Sequence, residues 1–207
     1  MSDNLTALIT RAQGQLLDDG TLFSTAALTV AFRSALARFN QVAPYFKTGM
    51  VLVVAGQYVY DLSALTGLLD FFGVWNEDEE QLTGDFFWED GMPRMRLREP
   101  LSSGALLVRF SLPHTVNGLA GETTSTLTTD QEQVLIDGAC ADAIKARFLA
   151  RVEKVNVSAQ VLEGYRSAAA SYDQAFALGL RRYARRPAGV GAPSTARWAD
   201  AWEGWDR

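Results

Sequence analysis

The chain has 207 residues, 48% hydrophobic and 21% charged, with a net charge of −5. This is a globular composition, large enough for one domain with an appendage and far from fibrous or disordered extremes. One cysteine, Cys140, and one histidine, His114, exclude an intramolecular disulfide, a four-cysteine zinc site and most Ser–His or Cys–His catalytic pairs.

Residues 3–18, DNLTALITRAQGQLLD, place Leu5, Leu8, Ile9, Ala12, Leu16 and Leu17 at helical spacing, with Gly20 expected to end the helix. No basic region followed by an apolar run opens the chain, and no stretch has the roughly 18 apolar residues of a membrane span. The expectation is a soluble protein of a reducing compartment. A second helix begins at Ser24, whose hydroxyl caps free amides, buries Leu28, Phe32, Ala35, Leu36 and Phe39, and stops at Pro44.

From residue 50 the period changes. The runs VLVV and YVY flank AGQ and read as two short strands around a glycine turn. In PRMRLRE, Met95 and Leu97 alternate with Arg94, Arg96 and Arg98, which gives a strand with one wet face. A small, mostly antiparallel sheet or sandwich is the simplest fold for this block. Its aromatics, Phe71, Phe72, Trp75, Phe86, Phe87 and Trp88, either fill a core or partly meet another subunit, because consecutive residues of a strand face opposite sides.

Residues 117–128 read as a flexible loop. Thr129 and Glu132 then fit a T-x-x-E capping box for a helix over 130–152 that buries Leu135, Ile136, Ala139, Ala143, Ile144 and Phe148. A fourth helix, over 158–182, aligns Val161, Leu162, Tyr165, Ala169, Tyr172, Phe176 and Leu180. The order of elements predicts an α+β fold with helices at both ends packed around the strands. Residues 1–182 form its domain, and 183–207 an arginine, proline and glycine linker with a tryptophan-rich arm.

Chemical motifs are sparse. His114 reads as a surface or strand-end residue without a catalytic partner, and Cys140 as a buried, inert thiol. Glu77, Asp78, Glu79 and Glu80 form a solvated acidic run; a calcium loop would need spaced oxygen ligands. No phosphate cradle or nucleophile elbow occurs, and the expectation is a protein without catalytic residues, metal or cofactor.

The C-terminal arm is the oddest feature. Trp198, Trp202 and Trp205 hold three of the five tryptophans, four and three residues apart, on one face if helical. The last 27 residues carry six arginines against Asp200, Glu203 and Asp206, a balance of +3 that leaves −8 for residues 1–180. An acidic body disfavours general binding to nucleic acid. The linker, of about a dozen residues, spans roughly 40 Å when extended. Arg185, Arg186 and Arg197 with the three tryptophans have the composition of a docking arm, the alternative being a segment that folds back on its own core.

The helices DNLTALITRAQGQL and STAALTVAFRSALARFNQVAP, the stretch VLVVAGQYVYDLSAL, the strand and exit SGALLVRFSLPHTV and the helix TTDQEQVLIDGACADAIKARFLA together resemble the head-to-tail adaptor (neck or connector) proteins of tailed bacteriophages. The likeness covers about residues 3–180 and lies in pattern and order. It implies a structural virion protein assembled in the host cytoplasm: a ring, commonly a dodecamer, that binds the portal protein, extends the DNA channel and offers a platform for a tail or neck protein. In that family the C-terminal segment often grips the portal, a role that Arg185, Arg186, Arg197, Trp198, Trp202 and Trp205 would take here. Glu77, Asp78, Glu79 and Glu80 would line the channel and let double-stranded DNA pass without specific binding. A triple-tryptophan end is not part of the family pattern. Two other readings compete: a virion-associated hydrolase using acids such as Glu89 and Asp90 or those of the 77–80 run, and a DNA-binding regulator using the arginine-rich linker.

Overall fold

The computed structural model describes residues 3–18, 20–152 and 158–184, an α+β fold of four helices and two small antiparallel sheets. The described residues fall into two compact units, one from within 3–45 and 113–184 and the other from 46–112.

The first unit holds α1 (Leu5–Gln15), α2 (Thr25–Val42), α3 (Thr129–Val152) and α4 (Ala159–Tyr183). Asn4, Ser24 and Ser158 cap α1, α2 and α4, each side chain accepting an amide of the first turn. The apolar stripes meet in one core that includes Leu8, Ile9, Leu28, Phe32, Phe39, Leu135, Ile136 and Phe176. Each such side chain contributes about 1.5–3 kcal/mol on burial. Phe148 lies outside that core, half-exposed on the last turns of α3 with the Arg166 guanidinium over its ring. In α3 and α4 the helices touch closely: a Cβ on Gly179 would meet Val134 at 2.5 Å. Arg38 ties three helices, pairing with Asp142 at 2.8 Å and Asp173 at 3.8 Å while lying over the Phe176 ring.

The end of α1 departs from the expected glycine stop. The helix closes at Leu16, and the amides of Leu17 and Asp18 donate to the carbonyls of Gly14 and Gln13. This is a Schellman closure, whose left-handed position is normally a glycine. Here Leu17 occupies it, at φ 52°, and Gly20 lies in the turn beyond.

The start of α3 is also shifted. The Thr128 amide donates to Gln131 Oε1 and the Gln131 amide to Thr128 Oγ1, so the capping box is T-x-x-Q, one residue before the expected pair. Glu132 is instead buried, accepting from the Asp3 amide and paired with Arg11 at 3.2 Å. Its geometry matched the pattern, but a carboxylate held by a guanidinium inside the unit serves the N-terminus rather than the helix cap.

The segment 117–128 is pinned rather than flexible. Its Thr126 amide and hydroxyl bond Thr115, Gly118 closes a turn on Glu122, Asn117 accepts the Leu5 amide, and Leu119 and Leu127 are buried. Turn bonds of this kind leave no hydrophobic signature in a sequence.

The second unit holds β1 (Tyr45–Leu52) from its second residue on, β2 (Val59–Asp61), β3 (Asp70–Trp75), β4 (Gln81–Leu82), β5 (Gly84–Glu89), β6 (Met92–Leu97) and β7 (Ala105–Leu112). The sheet orders are β1-β7-β3-β4 and β2-β6-β5. The strand in VLVV starts earlier than expected and ends at Leu52, and β1 and β2 do not pair. The turn at Gly56 carries the chain from one sheet to the other. Tyr60, Met95 and Leu97 from the smaller sheet meet Val74, Leu106, Val108 and Phe110 from the larger in one apolar cluster. The alternation of PRMRLRE therefore holds, with Met95 and Leu97 inside and Arg96 outside. Asp90 and Gly91, both at positive φ (53° and 77°), make the two-residue turn between β5 and β6 that Asp-Gly favours.

Candidate interaction surfaces

On the second unit, the larger sheet has an outer face whose orientation follows from its glycine. A Cβ on Gly49 would meet Leu65 and Phe110, so Gly49 faces the core, as do Val51 and Val53. Strand alternation then turns Phe46, Thr48, Met50 and Leu52 outward. Met50 is 66% and Leu52 71% exposed. Beside them the rings of Phe46 and Phe72 meet edge to face at 4.9 Å, and Arg109 lies 5.0 Å over the Trp75 indole. Antiparallel sheets commonly wet one face with polar residues; this one presents aliphatic and aromatic side chains on the outermost strand of its sheet. The aromatics of the block are thus neither wholly core nor wholly exposed. Phe71 stacks on Phe86 at 5.3 Å beside the core, Phe87 lies under Arg96, and Trp88 is 55% exposed.

The acidic run forms the tip between β3 and β4. The Glu80 amide donates to Asn76 Oδ1, the Asn76 side-chain amide donates to Glu80 Oε2, and Glu79 takes φ 62°. All four acids are exposed, and no group of three or more potential metal ligands occurs among the described residues. Glu89 is paired with Arg94 at 2.9 Å, and Asp90 is the turn residue described above. The sequence expectation for Arg185, Arg186, Arg197, Trp198, Trp202 and Trp205 lies outside the described residues. Arg181 and Arg182 are exposed in the last turn of α4.

His114 is not a surface residue. It follows β7 by two positions but is buried, its ring edge to face with Phe39 at 5.4 Å and Nδ1 3.0 Å from Thr126 Oγ1. Asn40 holds its backbone on both sides, accepting the amide and donating to the carbonyl. Burial pushes its pKa down to about 4, only partly offset by hydrogen bonds, so the ring is neutral at pH 7. Cys140 is buried as expected. Burial, and then the charge of Asp137, push its thiol up to about 12, which leaves it unreactive.

Two features of the first unit arise only in the fold. One is Leu17, 94% exposed on its left-handed backbone. Both carboxylate oxygens of Asp18 accept amides of the loop that follows, those of Leu22 and Phe23. The other is an open cleft of about 280 Å³ between α2 and the 113–122 segment, lined mainly by apolar side chains. Helical spacing sets Leu17 on the apolar stripe of α1, but the helix closes at Leu16 and leaves Leu17 outside it; the cleft arises from residues about 80 apart in the chain. Compared with protein-family models and with curated proteins, the sequence matches none.

Proposed function

We propose that the protein is a structural subunit of the bacteriophage neck: a head-to-tail adaptor that forms a ring on the portal, extends the DNA channel and presents a platform for the tail. The observation that carries this reading is the apolar outer face of the larger sheet. A chain working alone seldom leaves Met50 and Leu52 in water beside the half-buried Phe46 and Phe72, whereas a subunit of an assembly covers them with a neighbour. The order of elements, two helices, a block of strands and two helices, agrees with the adaptor resemblance.

In this reading the work is geometric. Cyclic symmetry repeats one modest contact around the ring, so weak individual contacts close into a stable assembly. The C-terminal arm adds a second attachment per subunit by placing Arg185, Arg186, Arg197, Trp198, Trp202 and Trp205 against the portal, with multivalency raising the total affinity. The carboxylates of Glu77, Asp78, Glu79 and Glu80 face the channel and repel phosphates as DNA passes.

Electron micrographs of the protein with and without portal test the reading. A ring bound to the portal is the expected result. A protein that stays monomeric and ignores the portal overturns it.

A further inference from the structure

Leu17 and the cleft share one unit but sit at opposite ends of α1. Leu17 follows the C-terminus of that helix, while the 113–122 segment is bound to its first residue through Leu5 N–H donating to Asn117 O at 2.8 Å. Eleven helical residues separate the two ends by roughly 16 Å. The leucine therefore cannot reach the cleft of its own chain.

The two features are complementary. The cleft is lined by Leu36, Ala37, Val116, Leu119 and Ala120, with the exposed Arg33 at its rim. Its volume is on the order of nine waters, ample for an isobutyl group. Arg33 has no ion-pair partner among the described residues. Next to Leu17 stands Asp18. Desolvation alone would raise its pKa, but the amides of Leu22, Phe23, Gly20 and Thr21 together lower it, so it is charged at neutral pH. Glu122 lines the same cleft and would repel a carboxylate placed against it, which restricts Asp18 to the Arg33 side.

The Leu17 backbone adds a second reason. A leucine in the left-handed region is strained, and a leucine in water gains nothing from its side chain. Glycine would serve the helix end better. A contact made outside the chain would account for a leucine there.

We infer that Leu17 is the knob of a head-to-tail contact between copies of this protein, seated in the Leu36–Leu119 cleft of the next copy with Asp18 against Arg33. The inference rests on the proposal that copies assemble side by side, and supplies the contact. A knob and a cleft at opposite ends of one helix make a heterologous interface, which propagates from copy to copy and closes into a ring when the rotation allows.

Two variants test it in the full chain. Leu17→Gly is expected to keep or raise the melting temperature while shifting self-association to at least tenfold higher protein concentration in sedimentation. Unchanged self-association of a folded Leu17→Gly protein overturns the contact. In the second test, Leu17→Cys and Ala37→Cys are combined and oxidised mildly; Cys140 stays, since it is buried. A disulfide needs Cα atoms within about 7 Å, so a seated knob gives a ladder of covalent dimers, trimers and higher species, and each single variant stops at dimers. Rings in micrographs without a ladder overturn this contact and leave the adaptor reading standing. A ladder without closed rings or portal binding upholds the contact and removes the adaptor reading. A chain with neither self-association nor a ladder removes both.

Discussion

His114, Leu17 and Cys140 are single residues whose surroundings set their properties. Neutral His114 is stabilised by burial against Phe39 and Tyr45, and its pKa falls from 6.5 to about 4. The unfolded chain takes up a proton near pH 6.5 that the folded chain refuses until about pH 4. Stability from this group is therefore full above pH 6.5 and declines through that window, by about 3 kcal/mol in total. Urea unfolding of the wild type and His114→Gln at pH 7 and pH 5 should show a steeper loss in the wild type; parallel losses would mean that the ring is not buried neutral. Leu17→Gly is expected to stabilise the isolated chain by about 1 kcal/mol, read as a higher urea midpoint, because it removes left-handed strain without losing packing. The burial of Cys140 was legible from its small and apolar neighbours in LIDGACADA. The burial of His114 was not, since its partners Phe39, Asn40 and Thr126 come from α2 and a loop distant in sequence.

At the scale of elements, all four helices were legible from their 3.6-residue apolar stripes, and α2 also from its capping serine. Their ends were less so. A T-x-x-E pattern at Thr129 and a T-x-x-Q pattern at Thr128 are offset by one residue, and the tertiary demand on Glu132 from Arg11 and Asp3 decides between them. Thr128→Ala should therefore cost about 1 kcal/mol of stability while Thr129→Ala costs little. Equal losses in chemical denaturation would restore the expected box. The close approach of α3 and α4 is similarly specific. Gly179→Ala places a methyl group into Val134 and should destabilise by about 1–3 kcal/mol, more than any exposed Gly→Ala change on α4. Strand existence was readable from β-branched and aromatic runs, but partners were not. Nothing local to VLVV and YVY says that the glycine turn between them switches sheets, because hydrogen-bond partners of β1 and β2 lie in β7 and β6.

At the scale of the whole molecule, the predictions concern assembly. Deleting residues 187–207 should leave a folded domain, seen by an unchanged circular dichroism spectrum, and abolish capture by the portal. Retained capture would assign the grip to another surface. Converting Glu77, Asp78, Glu79 and Glu80 to their amides should raise retention of duplex DNA by assembled particles at low salt, since exposed charges act within a Debye length of about 10 Å. Unchanged retention would place the acids away from the channel. The acids and the arm were both visible as sequence features. The apolar outer sheet face was visible only as an excess of aromatics with two open explanations, and alternation around Gly49 turned that ambiguity into a face.

The α+β class, the helix order, the inert thiol and the acidic run could be read from the residues alone, because period, capping and charge are local properties of neighbouring residues. Which faces stay uncovered emerges on folding: the Met50 and Leu52 face of the larger sheet, the exposed Leu17 and the cleft lined by Leu36 and Leu119. Exposure depends on residues far apart in the chain packing or failing to pack, and no window of sequence contains both partners.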